Sequence, residues 1–132
     1  MASGRRDYTW GFLSETAAEG RYCESVNCYS SKSVISGCSE KMYQYEVPEG
    51  YRLLVNKVVI STESRDVNIF WVRHGLSVIL YSYFSDFHIV DFTDRNPFVF
   101  EHGYDLIVYI TNKDVSAKWF YVCIVGVLEQ LT

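Results

Sequence analysis

Val67-Asn68-Ile69-Phe70-Trp71-Val72-Arg73-His74-Gly75-Leu76-Ser77-Val78-Ile79-Leu80-Tyr81-Ser82-Tyr83-Phe84 is the stretch that decides how this chain reads. Two runs rich in β-branched and aromatic residues flank His74-Gly75, a turn signal. Neither run has helix caps at its ends, and each is shorter than an ordinary helix. The first run is apolar at odd positions (Val67, Ile69, Trp71) and also at Phe70 and Val72. A strand apolar on both faces is covered twice, once by its own core and once by something else.

The same texture continues outward from this pair. Strands are predicted over 41–47, 51–62, 67–73, 77–84, 87–92, 98–101, 104–111 and 118–128. Pro48-Glu49-Gly50, Glu63-Ser64-Arg65-Asp66, Asp94-Arg95-Asn96-Pro97, His102-Gly103 and Asn112-Lys113-Asp114 separate them. Short strands with a turn every eight to twelve residues predict an all-β antiparallel β-sandwich, jelly-roll-like, with no helix longer than two turns in residues 41–132. Tyr81, Tyr83, Phe84, Phe87, Phe92, Phe98, Phe100, Trp119, Phe120 and Tyr121 exceed what one small core can hold. The surplus predicts burial between subunits.

Residues 1–40 read differently. They hold eight serines, four glycines and three of the four cysteines, with no sustained period of 2 or 3.6. They are expected to form an extended N-terminal arm on a sandwich domain of residues 41–132, with at most a weak helical stretch over 10–19. Tyr8, Trp10, Phe12, Leu13, Tyr22 and Tyr29 are large anchors that a plain linker would not keep. They suit insertion into a neighbouring subunit, with folding back over the arm's own sheet edge as the alternative.

The whole chain has 132 residues, enough for one domain and little more. Its 12 basic and 16 acidic residues give a net charge of −4, which is no nucleic-acid footprint. No apolar run approaches the roughly 20 residues of a membrane helix. Arg5-Arg6 is not followed by the apolar stretch of a secretory signal.

Candidate chemistry is sparse. His74, His88 and His102 are far apart, and His88 and Asp91 fall on opposite faces of a strand. Cys23, Cys28 and Cys38 are spaced unlike a zinc knuckle. They read better as disulfide candidates, with Cys123 either a small core residue or the partner of an arm cysteine. Such bridges suit an oxidising compartment, a virion surface or a hyperthermophile cytoplasm. Asp91 with Asp94, and Glu101 with Asp105, read as turn formers rather than as an acid and base pair. Nucleophile elbows, phosphate loops and dinucleotide fingerprints are absent. No enzyme, metal or cofactor is expected.

The stretch from Asn96-Pro97-Phe98-Val99-Phe100-Glu101-His102-Gly103-Tyr104-Asp105 through Ile110-Thr111-Asn112, and the ending Trp119-Phe120-Tyr121-Val122-Cys123-Ile124-Val125-Gly126, resemble the last strands of jelly-roll proteins in phage and virus particles. Tyr45-Glu46-Val47-Pro48-Glu49-Gly50-Tyr51 resembles their opening turn, so the likeness spans about residues 43–128. It implies a structural protein of the capsid-decoration type, located in the virion or otherwise extracellular. Its partners would be copies of itself, as a trimer, and a major capsid protein, with no nucleic acid and no membrane. The same patterns occur in carbohydrate-binding modules and tumour-necrosis-factor-like trimers. Two alternatives therefore stand: a ligand-binding sandwich with an exposed aromatic platform, and an extracellular filament subunit that donates its N-terminal strand.

Overall fold

The computed structural model describes residues 23–92 and 98–131. Nine strands follow one another: β1 (Cys23–Val34), β2 (Ser39–Tyr45), β3 (Tyr51–Thr62), β4 (Asn68–His74), β5 (Ser77–Phe84), β6 (Phe87–Asp91), β7 (Phe98–Glu101), β8 (Leu106–Thr111) and β9 (Lys118–Gln130). No helix occurs among the described residues. One sheet (A) runs β1-β9-β3-β6, with β7 also on β3; the other (B) runs β2-β8-β4-β5. All pairings are antiparallel: the nested pairs are β1 with β9, β2 with β8, β3 with β6 and β7, and β4 with β5, and β3 with β9 and β4 with β8 join them into sheets. That nesting is one long hairpin rolled into two layers, a jelly roll. The β-sandwich expectation therefore holds.

The core lies between the sheets. Sheet A contributes Leu53, Val55, Val58, Ile60, Phe100, Phe120, Val122 and Ile124, all nearly inaccessible. Sheet B contributes Phe70, Val72, Leu106, Val108 and Ile110. The large rings interlock edge to face: Phe70 with Phe84 at 5.6 Å and Phe84 with Phe120 at 6.3 Å. Edge-to-face pairs of this kind add roughly 0.5–1.5 kcal/mol beyond the area they bury. Alternation along β9 puts Phe120, Val122 and Ile124 inward, while Trp119, Tyr121 and Cys123 face out.

The arm reading needs correction. Residues 23–34 form β1, paired residue by residue with β9, and β2 begins at Ser39. The sandwich therefore includes residues 23–40, which the sequence pattern places in an arm; residues 1–22 lie outside the described ones. β1 escapes a periodicity search because Ser30 and Lys32 interrupt its apolar alternation. The Ser30 hydroxyl donates to the Met42 carbonyl (2.7 Å) and the Lys32 ammonium to the Lys41 carbonyl (2.8 Å). Ser30 is half-buried and Lys32 exposed, and both bond to the backbone of β2, so this stretch of β1 needs no apolar pattern.

A polar knot ties the turns at one end. The Asn112 side chain donates to the carbonyls of Val34 (2.7 Å) and Ser116 (3.0 Å) and accepts from the Asp114 amide (2.7 Å). Ser64 donates to the Asp114 carboxylate (2.7 Å), and Asn68 donates to Ser64 (3.1 Å) while accepting from the Lys113 amide (2.8 Å). The Ser64 hydroxyl, helped by backbone amides, holds the Asp114 carboxyl below its ordinary value against the opposing effect of burial. The Asn-Lys-Asp and Glu-Ser-Arg-Asp turns thus lock to each other and to the end of β1.

Two substitutions test this frame. Asn112→Ala strands buried partners and is expected to cost about 1–3 kcal/mol, read as a lower urea midpoint. Gly126 sits where β9 crosses the bulge of β3; an added Cβ meets the Leu54 carbonyl oxygen and lies 3.2 Å from Val55 Cα. Both obstacles are backbone, so Gly126→Ala is expected to cost about 1–3 kcal/mol through overpacking, read in the same titration.

Candidate interaction surface

Several ionisable groups are engaged in holding the fold. Two shallow, open grooves, of about 500 and 440 Å³, share Gly103 and Asp105 at one end of the sandwich. Several of their polar side chains bond internally: Gln44 donates to the Asp105 carboxylate (2.7 Å), Arg73 to the Gly75 carbonyl (3.2 Å), and the His102 Nδ1 lies 2.9 Å from the Val47 carbonyl. His74 stacks on Tyr104 (5.0 Å between ring centroids, 9° between planes). His88 packs on Phe70. Among the described residues no group of three His, Cys, Asp or Glu side chains is placed to hold a metal ion.

The cysteines are dispersed. Cys28 lies half-buried on the inner side of β1, against the core. There burial raises the Tyr43 phenol well above its ordinary value, and its hydrogen bond with Cys28 adds to the shift. Burial likewise pushes neighbouring Tyr45 up to about 12. Cys123 faces outward and donates to the Asn27 side chain (3.2 Å). Cys38 is exposed in the turn between β1 and β2, roughly 20 Å along the strand from Cys28. Cys28 pairs with Ile124 and Cys123 with Tyr29, so the two thiols point to opposite faces and cannot bridge. Cys28, Cys38 and Cys123 are all free thiols, and the disulfide expected of the arm cysteines is not formed among them. The Cys23 side chain and the anchors Tyr8, Trp10, Phe12, Leu13 and Tyr22 lie outside the described residues. Tyr29, the remaining anchor, stands 64% exposed on the outer face of β1.

Exposed apolar surface is abundant on both outer faces. On sheet A the register sets Tyr29, Cys123, Val59 and Ile89 side by side across four strands. Tyr121 and Phe87 flank this row on one side and Val125 on the other. Ile89 is 45% exposed and Phe87 56%. On sheet B the register aligns Tyr109, Trp71 and Tyr81. Trp71 stacks on Tyr109 (5.2 Å, 7°) and on Tyr81 (6.0 Å, 21°), and Arg73 lies 5.5 Å from the Tyr109 ring centre. Stacked rings turn their faces to one another and their edges to water. The row therefore does not offer the flat aromatic platform expected of a sugar-binding sandwich.

The surplus of rings divides accordingly. Phe84, Phe100 and Phe120 enter the core, while Tyr81, Tyr83, Phe87 and Trp119 remain exposed. Sequence reasoning missed the ordering of the exposed rings into rows, because register is set by cross-strand pairing. One further signal was legible and went unread: Ser77–Phe84 contains no charged residue.

No family model matches the chain, and no curated protein matches it. Among solved structures, a chain from Bacillus endospore appendages, which form disulfide-linked pili, superimposes with a TM-score of 0.55 at 6% identity. The match covers 85% of this chain and 91% of that one. Looser likenesses reach a chain of infectious bursal disease virus, Gt strain (TM-score 0.43, 7% identity, 84% of this chain and 33% of that one), and a de novo designed double-stranded β-helix (0.39, 15%, 74% and 97%). The strand order and the first of these likenesses define the class, a jelly-roll β-sandwich; the other two are too loose to bear on function.

Thiol labelling checks the placement. Exposed Cys38 is expected to react with a maleimide first. Cys123 should follow more slowly, because burial raises its thiol above the ordinary value and leaves less thiolate. Peptide mapping at successive times reads the order; equal rates for the two would contradict it.

Proposed function

We propose that this chain is a non-enzymatic structural subunit that packs against copies of itself in an extended, extracellular assembly. The observation that carries this reading is the outer face of sheet A, where Tyr29, Cys123, Val59 and Ile89 form a continuous apolar row across four strands. Contiguous apolar surface of this kind marks protein contacts. Each ring that becomes buried there contributes roughly 1.5–3 kcal/mol. The likeness to a chain of disulfide-linked pili supports a filament. Free thiols at the exposed Cys38 and the outward-facing Cys123 suit cross-links between copies, and such links persist outside the cell.

Decoration of a capsid uses the same surface differently: the apolar face would meet a major capsid protein, and the free protein would stop at a closed trimer. Sedimentation of the purified full chain over a range of concentrations, with electron microscopy of the same samples, separates the readings. Filaments or open-ended oligomers are expected. A discrete trimer would favour decoration, and a monomer at every concentration would refute self-assembly.

A further inference from the structure

We infer that β5 is an acceptor edge, and that the strand it accepts is the segment Tyr8-Thr9-Trp10-Gly11-Phe12 of a neighbouring copy. The inference rests on the self-assembly reading and adds to the sheet A face the strand pairing without which that face does not hold copies together.

Edge strands present unpaired backbone groups, and proteins normally blunt them with charge, proline, bulges or shortness. The other edges of this sandwich are blunted in these ways. β1 carries Glu24 and Lys32, and β2 carries Glu40, Lys41 and a bulge. β6 and β7 are five and four residues long and end in Asp91 and Glu101. β5 is the exception. Its eight residues, Ser77-Val78-Ile79-Leu80-Tyr81-Ser82-Tyr83-Phe84, hold no charge, no proline and no glycine, and no described strand pairs with its outer edge. Its one bulge lies near the start, at the step between Val72 and Arg73 of β4, and leaves the run from Leu80 to Phe84 regular. The stacked row of Tyr109, Trp71 and Tyr81 also ends at this edge, and Tyr83 beside it is 63% exposed.

The occupant follows from the chain ahead of β1. Tyr8, Trp10 and Phe12 are spaced by two, so an extended segment sets all three on one face and Thr9 and Gly11 on the other. Added beside β5, the aromatic face prolongs the row that stops at Tyr81. The small side chains fall on the sandwich side, next to Leu80 and Ser82. β-augmentation works this way: backbone bonds give affinity and alternate side chains give register.

Geometry favours the neighbour over the chain's own edge. The Ser30–Met42 bond sets β1 beside β2, and β5 terminates sheet B at the side opposite β2. The chain therefore enters β1 on the side remote from its own β5. Residues 13–22 give ten residues of tether, reaching up to about 33–36 Å. That is ample to meet the β5 edge of a copy laid alongside. Such a contact is heterologous, so it repeats from copy to copy and yields a filament wherever the rotation between copies does not close a ring.

Two full-length variants test the pairing. Trp10→Asp with Phe12→Asp removes the donor; Tyr81→Lys with Tyr83→Lys blunts the acceptor, and Val78→Lys does so from the other end of β5 should the first acceptor variant fail to melt cooperatively. Sedimentation is expected to show wild type as open-ended oligomers and each variant alone as monomer. A 1:1 mixture should give a two-chain species, because one intact donor meets one intact acceptor and neither chain can continue. Oligomers from the donor variant would overturn the role of residues 8–12, and oligomers from a folded acceptor variant would overturn that of β5. Monomeric variants that give no two-chain species on mixing would overturn the pairing itself. Monomeric wild type would instead refute self-assembly and take this inference with it.

Discussion

The fold depends on β9 being paired along both of its edges. Cys23–Val34 runs along one side and Tyr51–Thr62 along the other, so the last strand of the chain joins the first to the third. Its inner residues Phe120, Val122 and Ile124 reach the centre of the core, where they meet the rings of sheet B. No earlier stretch of chain can complete sheet A, since β1 and β3 have no bonds to each other. The pairings are long-range in sequence, which makes this a topology of slow, late closure. Gly126 belongs to the same constraint: the bulge in β3 brings two backbones so close that a side chain on β9 has no room.

Once the sheets are closed, the chemistry of the surface is largely settled. Buried polar groups serve the frame, as in the knot of Ser64, Asn68, Asn112 and Asp114. The histidines take ring contacts or a backbone bond, and Gln44, Asp105 and His102, which line the grooves at one end of the sandwich, bond within the chain. What remains unspent is apolar: one outer face crossed by aliphatic and aromatic rows, another carrying a stacked aromatic row, and one edge without charge. Surfaces of that composition meet other proteins more readily than they meet substrates.

The stretch 77–84 shows how much of the body was legible. Its β-branched and aromatic residues between turn signals predicted a strand with the observed ends, and the same held for 51–62 and 98–101. β1 was illegible for an equally plain reason. Ser30 and Lys32 interrupt the apolar alternation: half-buried Ser30 bonds to one carbonyl of β2, and exposed Lys32 reaches another. The cysteines share this limit: Cys28 reads from the sequence as a disulfide candidate of the arm, yet its strand lies directly over the core.

Local pattern alone determined that this chain is all-β, where most strands start and stop, and that it carries more aromatic surface than one core can hold. These properties follow from side-chain period and turn chemistry within a few residues. Tertiary structure decided which rings are buried, that Cys28 and Cys123 point apart, and that among the described residues the outer edge of β5 is left unpaired. Each of these is a fact of register and strand order. A strand read by itself has two faces and two edges, and only pairing with distant strands determines which of them meets water.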